Sequence, residues 1–178
     1  MKKTDVKTMV LSALFLALAL VLPFLTGQIP EVGSMLCPMH IPVLLCGFFC
    51  GWPWGLAVGF LAPLLRSLFF GMPPMFPAAV SMAFELSTYG SISGRLYRKL
   101  PHSKISVYIS LLTAMVAGRL VWGIVRFLCA GLDVSAFGLS AFWAGAVTTA
   151  IPGIIVQLLL IPVLVITLKK YAPVKSTV

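Results

Sequence analysis

CPMHIPVLLCGFFCGWPWGLAVGFLAPLLRSLFFGMPP, residues 37–74, is almost wholly apolar yet holds one histidine, His40, and one arginine, Arg66. An ionisable group at membrane depth costs about 2.5–3.5 kcal/mol on insertion scales, so each must have a reason to be there. The rest of the chain has the same character. Of its 178 residues, 60% are hydrophobic and 10% charged, with a mean hydropathy of +1.07; an ordinary soluble domain carries about 25% charged residues. This is the composition of an integral membrane protein. At about 20 apolar residues per crossing, the length allows roughly six spans and no soluble domain.

Breakers and charges mark six apolar segments, giving an all-α membrane protein of one domain over residues 1–178. The spans fall at about 8–25, 40–51, 54–70, 78–96, 106–129 and 140–168. The second is short, about 18 Å at 1.5 Å per residue, and is not expected to cross alone. Its preceding loop, 27–39, is expected to dip towards the bilayer with it, which irregular backbone does only where it is buried in protein or lines a cavity. The prolines of GMPPMFP, 71–77, preclude a regular helix there. Pro152 and Gly153 are expected to kink the sixth span, with Pro162 near its end. The opening MKKTDVKTMVLSALFLALALVLPFL has the basic head and apolar core of a secretory signal. No small-x-small site closes the run convincingly, so we read it as the first span.

The net charge of +9 is clustered. Lys2, Lys3 and Lys7 lie at the amino end; Arg95, Arg98, Lys99 and Lys104 lie between spans four and five; Lys169, Lys170 and Lys175 lie at the carboxyl end. With six crossings, all of these fall on one side, and the positive-inside rule makes that side cytoplasmic, both termini included. Orientation accounts for the positive charge without nucleic acid as a partner. Cys37, Cys46, Cys50 and Cys129 sit in or beside apolar runs and read as buried small hydrophobes rather than a disulfide framework.

Arg66, Arg119 and Arg126 remain, each inside an apolar segment, and Glu85 joins them in span four. Seven residues separate Arg119 from Arg126, nearly two turns, with Trp122 between them on the same face. Ser81, Glu85, Thr88 and Tyr89 share a stripe on span four, and His40 opens span two. Three guanidinium groups against one carboxylate leave a positive surplus, which favours an anionic ligand in an outward-facing polar pocket. The candidate substrate contacts are therefore His40, Arg66, Ser81, Glu85, Thr88, Tyr89, Arg119, Trp122 and Arg126. The plainer alternative is an internal Glu85–Arg119 pair with the end arginines snorkelling to the interface. His40 among Cys37, Cys46, Cys50, Met35 and Met39 raises copper or nickel, but the spacing fits no tight tetrahedral site, and neither metal nor cofactor is expected. Trp52 and Trp54 read as anchors on the inner side.

No GxxxxGK(S/T), HExxH or GxSxG motif is present, so the chain is not expected to hydrolyse ATP or to be an enzyme. An autonomous small-solute transporter or channel, or an intramembrane enzyme acting on a phosphorylated lipid with His40 or Glu85 as acid or base, stay open alternatives.

Taken together, the first-span ALFLA (Ala13–Ala17), HIPVLLCGFFCG with GLAVGFLAPLLRSLFFG after it, and FELSTYGSISGRLY of span four resemble the substrate-binding S components of energy-coupling factor (ECF) transporters. These are small six-helix receptors of bacterial membranes. The resemblance implies that Ala13 and Ala17 contact a membrane-embedded coupling subunit, that two ATPases drive import of a vitamin or related precursor, and that residues 27–39 cover the ligand as a lid. Combined with the arginine surplus, it favours pantothenate, with riboflavin and pyridoxine-type compounds behind it.

Overall fold

The chain is described by a computed structural model that covers residues 6–26, 35–101, 103–131 and 137–171. Among these residues it is all helical. Eight of the expected lid residues, 27–34, lie outside the described residues, as do Lys2, Lys3 and Lys175.

Helix α1 (Val6–Val21) tightens into a 3₁₀ turn over Leu22–Thr26. Pro23 lies inside that turn and has no N–H to donate, so helical hydrogen bonding fails there. Helix α2 (His40–Cys50) is apolar all round and all eleven of its residues are buried, as expected of a helix enclosed by others. At about 16 Å it is too short to span a hydrocarbon core. Gly51, at φ +91°, turns the chain directly into α3 (Trp52–Phe70), with Pro53 in its first turn, where a missing N–H costs nothing. Gly71, at φ +70°, caps the far end.

Residues 71–79 contain no α-helix: Met72–Pro73 and Phe76–Pro77 are cis, and a wide turn, Met75–Ala79, leads into α4 (Val80–Lys99). After Pro101, Ser103 caps α5 (Lys104–Cys129) by accepting from the Ser106 N–H at 3.2 Å. A short α6 (Leu139–Trp143) and a second wide turn, Ala144–Thr148, precede α7 (Ile151–Tyr171).

Two sequence expectations need correction here. The sixth span is interrupted at 144–150 rather than at Pro152 and Gly153, because Pro152 occupies the first turn of α7 and fits there without breaking it. Pro162 lies inside α7, nine residues before its end at Tyr171.

Helix α2 is the axis of the bundle. Helices α1, α3, α4 and α7 pack against it, and α5 closes the side between α4 and α7. The approach of α2, α3 and α4 is set by glycine. A Cβ on Gly47 or on Gly55 would lie 2.5 Å from the Gly90 carbonyl oxygen, and one on Gly94 would lie 2.6 Å from the Trp52 nitrogen. Backbone therefore meets backbone, as small-xxx-small packing allows. Outward faces carry large apolar residues, among them Val10, Leu14, Leu120, Ile124, Leu159 and Val163. Among the described residues, four helical stretches, Val6–Leu25, Trp52–Phe70, Lys104–Cys129 and Ile151–Leu168, are long and apolar enough to cross a membrane. The protein is accordingly a multi-pass membrane protein.

Candidate functional site

The tight glycine packing brings α4 close to α2, and this puts Glu85 beside the first residue of α2. Glu85 is 1% exposed. Its Oε1 lies 3.4 Å from His40 Nε2 and 3.0 Å from Arg119 Nη1, so three helices meet on one carboxylate oxygen. Oε1 is shared between these two nitrogens, while His40 Nδ1 and Arg119 Nε have no hydrogen-bond partner among the described residues. A buried carboxylate without a nearby cation would not stay in a membrane; Arg119 supplies that cation.

One turn inward on α4, Tyr89 is fully buried with its ring 5.2 Å from the imidazole of His40, and its hydroxyl faces the Glu85 carboxylate. Gly118 on α5 makes room for that ring, since a Cβ at 118 would overlap it. Arg119 Nη2 donates to Cys37 Sγ at 3.7 Å. Cys37 is buried at φ +48°, a left-handed conformation uncommon outside glycine, at the point where the chain enters α2. The described segment that leads into α2 is thus tied to the cluster.

The structure brings together His40, Glu85, Tyr89 and Arg119 from the sequence candidates. Ser81 is buried on the same stripe, but its hydroxyl bonds back to the Pro77 and Ala78 carbonyls. Thr88 bonds back to Phe84. Trp122 packs edge-on against Phe137, with Phe142 also near, and against Gly145, which places it in the α5–α6 contact. Arg126 is half-buried, with no ion pair to a described residue.

Arg66 does something else. It is 2% exposed, makes no ion pair with Glu85, and donates through Nη1 to the Leu20 carbonyl while lying over the rings of Phe24, at 4.8 Å, and Phe70, at 5.4 Å. In a 3₁₀ turn the Leu20 carbonyl would accept from residue 23, which is proline. Arg66 satisfies the acceptor that Pro23 leaves free, and so ties α1 to α3. The positive surplus inferred from charge counting therefore does not gather at Glu85, where one guanidinium faces one carboxylate.

Gln157 was missed by sequence reading. It is 1% exposed, and neither its Oε1 nor its Nε2 has a partner among the described residues. Its signal was present, as the one amide in the apolar run Ile151–Leu168, but it carries no charge and so escaped a search for misplaced ions. Among the described residues, no group of three or more His, Cys, Asp or Glu residues could hold a metal ion.

The chain is thus a membrane-embedded bundle of apolar helices with a buried polar cluster where α2, α4 and α5 meet. The family model of the ECF transporter substrate-specific component matches residues 7–165, and the chain belongs to that family. Members are substrate-binding transporter subunits, not enzymes, and they work with a membrane coupling subunit and ATPases. No curated protein and no solved structure matches the chain.

Proposed function

We propose that this protein captures a small vitamin or vitamin precursor at the Glu85–Arg119–His40–Tyr89 cluster and delivers it for import with a coupling subunit and two ATPases. The observation that carries the reading is the convergence of α2, α4 and α5 on a buried carboxylate, beside which His40 Nδ1 and Arg119 Nε have no hydrogen-bond partner among the described residues. A cluster built only to fix helix packing would use those atoms internally. In this reading the chain crosses the membrane six times with both ends cytoplasmic, and residues 27–39 close over the ligand. Ala13 and Ala17 are exposed on α1 while Ser12, Phe15 and Ala19 face inward, which leaves a small-residue stripe free for the coupling subunit. Pantothenate is the first ligand to test, with riboflavin and pyridoxine next.

The test is calorimetric titration of the purified full chain with these vitamins, alongside Arg119→Ala. Tight binding of one of them, lost in the variant, supports the proposal; failure of all to bind the wild type overturns it. Flux in proteoliposomes containing this chain alone would favour an autonomous transporter instead.

A further inference from the structure

Helix α7 is apolar from Ile151 to Leu168 except for Gln157 and Thr167. Gln157 stands one turn before Ile161 and two before Val165, both members of the buried core, so it lies on the inward face of α7. One turn in the other direction is Gly153, where a Cβ would lie 2.6 Å from the Met35 carbonyl oxygen. Two residues beyond Met35 is Cys37, the contact of Arg119. Helix α7 also packs against α2, which begins with His40, and against α5, which carries Arg119. Gln157 is thus placed within about a turn, roughly 6 Å along the axis, of the segment that touches the cluster.

A primary amide in an apolar interior is costly unless both its donor and its acceptor are used. Gln157 uses neither among the described residues, and a leucine or methionine would fill the same space without that cost. At the same time Glu85 and Arg119 neutralise each other, so the buried end of the site offers no uncompensated charge to a charged group. A second carboxylate placed there would face Glu85.

We propose that Gln157 is a specificity-determining contact that reads a neutral group presenting both an N–H and a carbonyl, such as an amide or lactam, on the buried end of the ligand. This rests on the capture function proposed above and names what that site recognises. Pantothenate carries a secondary amide and riboflavin a cyclic imide, whereas pyridoxine carries neither.

The experiment compares wild-type full chain with Gln157→Met, which conserves volume. Thermal unfolding is measured without ligand, and pantothenate, riboflavin and pyridoxine are titrated as probes. The expected result is that Gln157→Met unfolds at or above the wild-type temperature, yet binds the amide- or imide-bearing probe about ten- to a hundredfold more weakly. Unchanged affinity overturns the inference, as does an affinity loss that merely tracks a loss of ligand-free stability, or a wild type that prefers pyridoxine. If the wild type binds none of the three, the capture function itself falls and this inference with it; binding that is indifferent to Gln157 sinks this inference alone.

Discussion

At Glu85 the energetic question is what happens when one member of the pair is removed. Arg119→Ala leaves a carboxylate at 1% exposure without its cation, and breaking such a buried pair costs about 3–5 kcal/mol. The expected outcome is a large drop in unfolding temperature in detergent or nanodiscs. Replacing both partners, Glu85→Leu with Arg119→Leu, should recover most of that stability, because neither charge is then buried alone, while ligand binding stays lost. A double variant as unstable as Arg119→Ala would show that the pair is not the source of the effect. Arg66 supplies the contrast. Arg66→Leu frees the Leu20 carbonyl again and should cost about 1–3 kcal/mol, leaving ligand affinity within about threefold of wild type; a larger loss in titration would return Arg66 to the ligand site. Charge counting made Glu85 and Arg119 legible, because ions inside apolar runs stand out in a sequence. It could not foresee where Arg66 goes, since the acceptor it answers is a backbone carbonyl orphaned by a proline 43 residues earlier. Gln157 was visible as a lone amide in an apolar run but, being neutral, escaped a search for charges.

Among the elements, the contact between α2, α3 and α4 fixes the distance between His40 and Glu85. Gly90 sits at its centre, where a Cβ would overlap the Gly55 carbonyl. Backbone cannot give way as a flexible side chain does, so Gly90→Ala should cost at least about 1–3 kcal/mol and Gly90→Val should prevent folding, read as aggregation in size-exclusion chromatography. Gly71→Ala is the control. Its φ is +70° but nothing lies within 4 Å of its would-be Cβ, so only the left-handed penalty of about 1–2 kcal/mol applies. The sequence showed these helices as apolar runs separated by glycine and proline, and the short α2 as unable to cross alone. It did not show which glycines face one another, because that depends on how three helices rotate about their axes. The break at 144–148 was also hidden: no proline or glycine pair coincides with it, whereas Pro152, the obvious breaker, sits harmlessly in a first helical turn.

For the whole molecule, the two ends of the bundle differ in charge, and side-chain contacts show which segments share an end. Arg95 lies over the Trp52 ring at 4.1 Å and Arg98 donates to the Cys50 carbonyl at 3.4 Å, so the α2–α3 turn and the end of α4 lie together, with the basic start of α5 after them. Arg66, Leu20, Phe24 and Phe70 mark the opposite end, the end from which α2 and α4 both begin with His40 and the approach to Glu85. By the positive-inside rule, clustered lysine and arginine should hold the first end in the cytoplasm, and the proposed site would then open outward, as an importer's receptor requires. Epitopes inserted into the full chain after Leu100 and after Gly131 test this. In right-side-out vesicles the tag after Leu100 should be shielded from antibody and the tag after Gly131 accessible, with the pattern reversed in inside-out vesicles. Accessibility of both tags from one face would mean that α5 does not cross, and a reversed pattern would turn the site towards the cytoplasm, where a capture subunit for uptake could not collect its ligand.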